Sequence, residues 1–125
     1  VRLLLDTQVY IWFLADSRKL SRKARSSIGD AEQVFVSAAS VWEAAVKSAL
    51  GKLDVKSDDL VAGIGASGFI ELPVSARHGA GVANLPPHHR DPFDRLLVAQ
   101  AVYEPLHFLT ADAALARYSG LVLVA

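Results

Sequence analysis

Residues 1–14 read VRLLLDTQVYIWFL. An apolar run of strand length, 2–5, stops at Asp6, and a stretch of helical length follows over 7–15. A strand with apolar residues on both faces, running into a capped helix, opens a βα unit of a sheet that is covered on both sides. The pattern repeats. Runs at about 33–36, 69–72, 106–109 and 121–124 read as strands, and VFVS, HFLT and LVLV lack the alternation of a half-exposed strand. Helical stretches lie near 7–15, 20–29, 38–51, 57–66, 75–84 and 92–103, with a short one near 112–118. Gly51 is placed to close the third of them. Strands alternating with helices predict an α/β domain of three layers, α/β/α, with a central parallel sheet of about five strands. The longest irregular piece is ANLPPHHRDP, stiffened by Pro86-Pro87.

The 125 residues have the size of one domain, 1–125, and at 52% hydrophobic they can build a core unaided. There is no cysteine, which excludes a disulfide framework, a thiolate nucleophile and a zinc–thiolate site, and suits a reducing cytoplasm. Thirteen basic and thirteen acidic residues balance, so a polyanion would have to be met by a local patch. No apolar run approaches the roughly 20 residues of a membrane span, and no signal peptide is visible. The chain starts at Val1 and holds no methionine, which a non-AUG start or a trimmed initiator explains equally well.

Four acids mark four helix starts: Asp6, Glu43 in VSAASVWEAAVKSALGKL, Asp94 in HHRDPFDRLLVAQA and Asp112 in HFLTADAALARY. Each has a local explanation. Asp6 can cap the helix after the first strand. Ser40 and Glu43 have the spacing of a capping box. Asp91 can cap a helix with Pro92 in its first turn, and Asp94 then complements the dipole. Asp112 follows Thr110, another candidate cap. As a set they say more. Asp6 and Asp112 end strands expected to run parallel, so both belong at the carboxyl edge of the sheet, where α/β folds bind ligands. RLLVAQAV after Asp94 is apolar nearly all round and must be central. Carboxylates gathered there repel one another and call for pairs, from Arg90 and Arg95 or from a metal. Oxygen-only ligands select Mg²⁺ or Mn²⁺ over zinc. With neither GxxxxGK[ST] nor GxGxxG in its required context, hydrolysis of a phosphodiester is the reaction such a cluster suits. Asp6-Thr7-Gln8 lacks the second aspartate of an aspartyl-nucleophile phosphatase.

Over essentially its whole length the chain resembles PIN-domain ribonucleases of the VapC toxin type. LLLDTQVYIWFL resembles the first family motif, SAASVWEAAVKSALGKL the second, DPFDRLLVAQA the third and LTADAALARY the fourth. The resemblance implies a PIN-like fold, a homodimer, Mg²⁺- or Mn²⁺-dependent cleavage of RNA, and neutralisation by a VapB-like antitoxin. It assigns Asp6, Glu43, Asp94 and Asp112 as catalytic metal ligands. Ligating carboxylates need hydrogen-bonded support, for which Thr7 and Thr110 are candidates, and Asp91 reads first as a cap and second as an outer ligand. The alternative readings are a metal-dependent phosphatase or DNA nuclease, and a catalytically silent PIN-like binding module.

Arg18, Lys19, Arg22, Lys23 and Arg25 are either a track for an RNA backbone or a solvated helix face, the second being favoured. Lys47, one turn after Glu43, either meets a phosphate or pairs with Glu43. His88 and His89 stand before the third motif and are left outside the site. Val9, Trp12 and Phe13 share a helical face that suits the core, while Tyr10 and Leu14 point elsewhere, either toward a groove for a partner helix or as part of a broader core face.

Overall fold

The computed structural model describes residues 1–87 and 91–125. Five strands, β1 (Arg2–Leu5), β2 (Gln33–Ser37), β3 (Ile70–Leu72), β4 (His107–Thr110) and β5 (Val122–Val124), form one sheet in the order β3-β2-β1-β4-β5. All four pairings are parallel. The helices are α1 (Thr7–Leu14), α2 (Arg22–Asp30), α3 (Ala38–Ala49), α4 (Ser57–Ala66), α5 (Ala76–Gly81) and α6 (Pro92–Tyr103). Two stretches expected to be helical wind as 3₁₀ turns, Val82–Asn84 after α5 and Ala113–Tyr118 after β4. His88, His89 and Arg90 lie outside the described residues.

β1 is central, and its side chains alternate between two apolar layers. Leu3 and Leu5 face one, with Val9, Tyr10, Ala24, Ile28, Ala44, Leu60 and Ile64 of α1 to α4. Leu4 faces the other, with Leu97, Val98 and Ala101 of α6. This is the α/β/α arrangement that strand–helix alternation predicts. It also explains why β1 reads as a plain apolar run: neither face meets water. α6 is buried over Leu97–Ala101, as its apolar circumference requires, and emerges at Pro92, Val102 and Tyr103.

Local chemistry sets the helix ends. Gly51 has φ +74°, the left-handed conformation that ends α3 just beyond its cap at Leu50. Ser75 caps α5 through a capping box with His78. His78 Nδ1 accepts the Ser75 N–H at 3.0 Å, so its proton sits on Nε2, 2.5 Å from Glu104 Oε2, and ties α5 to α6. Arg95 does not serve as a partner held in reserve for the acids. Its guanidinium donates to the carbonyls of Val82, Leu85 and Pro86 and to the Tyr118 hydroxyl, which fastens the loop before α6.

The first helix is arranged differently from its helical-wheel reading. Tyr10 is fully buried, while Trp12, Phe13 and Leu14 are only partly buried. Sheet and α4 enclose α1 on the Tyr10 side, and Gly63 makes that possible: a Cβ there would meet Leu14 and the Tyr10 hydroxyl at 2.7–2.9 Å. The Tyr10 hydroxyl donates to the Leu60 carbonyl at 2.6 Å, and burial pushes its pKa up to about 12. Tyr10→Phe should therefore lower stability by about 1 kcal/mol, the net value of a buried hydrogen bond. Denaturant unfolding tests this, and an unchanged midpoint would mean the bond contributes nothing.

Candidate active site

Strand order reverses between β1 and β4, since the chain leaves β1 for β2 on one side and returns to β4 on the other. The carboxyl ends of these two strands flank the crevice where such sheets place ligands. The Asp6 N–H donates to the Leu109 carbonyl at 2.9 Å, extending the β1–β4 ladder beyond the Leu5–Leu109 pair. Asp6 thus stands beside Thr110, whose hydroxyl donates to Asp6 Oδ2 at 2.5 Å. Asp6 Oδ1 accepts the Gln8 N–H at 3.4 Å as the cap of α1. Thr110 Oγ1 also accepts the Asp112 N–H at 3.0 Å, and Asp112 in turn caps the 3₁₀ turn through the Ala114 N–H. One threonine therefore links the two strand-end acids.

Glu43 reaches the same place from α3. The expected capping box from Ser40 does not form. Ser37 is the cap, accepting the Ala39 N–H at 3.0 Å, because Ala38 and Ala39 are already helical. Ser40 thereby falls inside the helix, on the face it shares with Glu43 and Lys47. Its buried hydroxyl lies 2.8 Å from Thr7 Oγ1. Thr7 donates to Glu43 Oε1 at 2.7 Å, and Lys47 donates to Glu43 Oε2 at 2.5 Å. Asp91 caps α6 as its sequence suggests, with Oδ1 accepting from the backbone of Phe93 and Asp94 at 2.8 and 3.1 Å. Asp94 sits in the first turn that this cap sets.

Asp6, Glu43, Asp94 and Asp112 all line one cleft of about 190 Å³, together with Thr7, Gln8, Ile11, Lys47 and Leu53. The four acids marked at helix starts in the sequence are all there, and Asp91 is not among the lining residues. Gln8, Ile11 and Leu53 carry no sequence signal and are brought in by the packing of α1 against the segment after α3. Of the basic stretch, Arg18, Lys19, Arg22 and Lys23 are exposed and do not line the cleft, and Arg25 is bound to Asp16 and the Ser17 carbonyl.

Among the described residues that line the cleft, Lys47 is the one base beside four carboxylates. Burial raises the Asp6 pKa above the ordinary aspartate value, against the lowering effect of the Thr110 and Gln8 hydrogen bonds, and the charges of Glu43 and Asp112 raise it further. Burial alone would lower the Lys47 pKa. Its hydrogen bond to Glu43 and the charges of Glu43, Asp91 and Asp94 outweigh that and raise it, so the ammonium persists at neutral pH. Among the described residues, no three acidic or histidine side chains are already disposed as a metal cage. The donor set itself fits a hard divalent cation: carboxylates and threonine hydroxyls, no sulfur, and like charges whose repulsion a cation relieves.

Because the folded-state pKa of Asp6 is raised, its contribution to stability is full below the unfolded value and is lost as pH rises through the folded value. Asp6→Asn has no such loss. In metal-free buffer the variant should be the more stable protein at neutral pH, with the advantage shrinking as pH falls toward the ordinary aspartate range. Thermal melting across pH checks this, and a variant less stable at pH 7 than at pH 4, relative to wild type, would contradict it.

Comparison with known proteins agrees with this fold. No curated protein sequence matches the chain. Among solved structures, VapBC2 from Rickettsia felis bound to a promoter DNA fragment superposes with a TM-score of 0.69 at 13% identity, covering 100% of this chain and 98% of that one. A toxin–antitoxin complex from Klebsiella pneumoniae gives 0.68 at 15% identity, covering 98% and 96%. FitAcB from Neisseria gonorrhoeae gives 0.64 at 20% identity, covering 97% and 96%. At such identities the likeness is one of fold. The family model for the PIN domain matches residues 3–121, a span that runs from β1 through all four acids, and the chain belongs to the PIN domain family.

Proposed function

We propose that residues 1–125 form a single-domain, metal-dependent endoribonuclease, the toxin of a toxin–antitoxin pair, acting in the cytoplasm. The observation that carries this reading is the convergence of Asp6, Glu43, Asp94 and Asp112, from four separate segments, on one cleft at the strand-order reversal. These four would hold Mg²⁺ or Mn²⁺. When bound, the ion supplies Lewis-acid activation of water and charge stabilisation at the scissile phosphate. Thr110 orients Asp6, and Thr7 orients Glu43, each through one hydroxyl hydrogen bond. Lys47 keeps a cation beside Glu43.

The antitoxin reading is supported by a second concavity beside the first. Ile11, Leu14, Ala15, Val55 and Leu60 line a groove of about 380 Å³, with Asp54, Lys56 and Asp59 among its polar residues, and Ile11 belongs to both it and the acid cleft. An amphipathic segment laid in this groove would bring a following basic residue to the acids. One of the structures to which the chain is similar in fold is described as a toxin–antitoxin complex, and two others as VapBC2 and FitAB, each bound to DNA. The active species would be a homodimer whose partner is a VapB-like antitoxin. Co-purification with the product of an adjacent small reading frame, and light scattering of the toxin alone, test both points. A strict monomer without affinity for that product would count against the toxin reading.

EDTA should abolish RNA cleavage, and Mg²⁺ or Mn²⁺ should restore it. Purified protein should prefer single-stranded RNA to DNA and to small phosphate esters, and the reverse preference would favour a DNA nuclease or phosphatase. Asp94→Asn separates a ligand from a helix-terminal charge. If Asp94 only complements the helix dipole, the change costs roughly 0.3–1 kcal/mol and leaves activity intact. As a metal ligand, it should instead lower cleavage by orders of magnitude while the metal-free protein holds or gains stability. Asp91→Asn is the control, since asparagine caps as well as aspartate. Near wild-type cleavage by Asp94→Asn with a lowered melting temperature would reduce Asp94 to a helix-terminal residue.

A further inference from the structure

Lys47 lies where a cation is needed. Its ammonium is 2.5 Å from Glu43 Oε2 and 4.0 Å from Asp91 Oδ2. It also stands 5.9 Å from the centroid of the Phe93 ring. An exposed Glu–Lys pair one helical turn apart is a weak contact. Here the carboxylate is only 5% exposed, so the ammonium replaces water that Glu43 has lost. Both oxygens of Glu43 are engaged, Oε1 by Thr7 and Oε2 by Lys47. A divalent ion entering the cleft therefore meets an oxygen already held by a monovalent one.

We infer that Lys47 is the resident counter-ion of Glu43 in the acid cleft, a positioning residue that holds Glu43 in the metal-free protein and yields its oxygen when a divalent cation binds. The inference rests on the metal-dependent reading above. Two features give the released ammonium somewhere to go. Asp91 Oδ2 is the next carboxylate oxygen, and the Phe93 ring offers its face within cation–π range. Both belong to the start of α6, the turn that carries Asp94. The lysine stem is flexible and its ammonium is a compact point charge, which suits exchange between partners; a guanidinium would grip a carboxylate with two bonds and exchange poorly. Repulsion between Mg²⁺ and an ammonium left at Glu43 supplies the push. The threonine bond to Oε1 keeps Glu43 in place while the other oxygen changes partner.

The test is Mn²⁺ binding to the whole protein, read by EPR of the free ion, for wild type, Lys47→Met, Lys47→Arg and Asp94→Asn. Lys47→Met should bind Mn²⁺ roughly tenfold tighter or more, because the competing charge is gone. Lys47→Arg should bind no tighter than wild type. Unchanged or weaker binding by Lys47→Met, with binding lost in Asp94→Asn, would overturn the inference and leave the metal site standing. If wild type binds no Mn²⁺, or Asp94→Asn binds it like wild type, the metal reading fails and this inference falls with it. A measurement needing no variant guards against misfolding of Lys47→Met. On saturation with diamagnetic Mg²⁺, the Lys47 Cε–Hε cross-peak of the wild-type protein should move while those of Lys19 and Lys23 stay. An unmoved Lys47 peak would overturn the exchange.

Discussion

The candidate site depends on the parallel pairing of β1 with β4. That pairing continues one step past Leu5 through the Asp6 N–H to the Leu109 carbonyl, which sets Asp6 against Thr110. From this one register follow the Thr110–Asp6 hydrogen bond, the Thr110 contact to the Asp112 backbone, and the opening between strands whose connections diverge. Side chains alternate along a strand, so a shift of one residue would turn Asp6 into a core layer and Leu5 toward the cleft. The leucines on either face of β1 resist such a shift, because each belongs to a different apolar layer.

Around this fixed centre the acids are held by different means. Asp6 and Asp112 arrive on strand ends and are tied to a shared threonine. Glu43 arrives on a helix face and is held by Thr7 from α1 and Lys47 from its own helix. Asp94 is placed by the cap that Asp91 makes, with Pro92 setting the backbone for the first turn. Caps and ligands are thus not rival explanations here. Asp6 and Asp112 each accept a backbone N–H with one oxygen and still line the cleft.

The charge balance of the whole chain hides a local imbalance. Thirteen acids and thirteen bases cancel over the molecule. Among the described residues that line the cleft, four carboxylates stand beside one lysine. The raised Asp6 pKa and the raised Lys47 pKa are two expressions of that imbalance, the first from burial among like charges and the second from an ammonium favoured by its surroundings against the opposing effect of burial.

Much of this was legible in the chain. The apolar runs gave the strands to within a residue or so, and alternation with helices gave a parallel three-layer order, because burial on both faces removes polar residues from a strand. The four acids were legible as a set because each interrupts an apolar segment at a helix start. Tertiary structure alone decided the rest. Ser37 rather than Ser40 caps α3, since either serine offers the same local chemistry and only the sheet contact chooses where the helix begins. Tyr10 is interior and Trp12 only partly covered, because α4 approaches at Gly63, a contact between residues more than fifty positions apart. By sequence Lys47 suits a phosphate or Glu43 equally, and the fold pairs it with Glu43, with Thr7 on the other oxygen of that carboxylate and Asp91 nearby. Local sequence sets which bonds a residue can make; which of them it makes depends on neighbours that only the folded chain brings within reach.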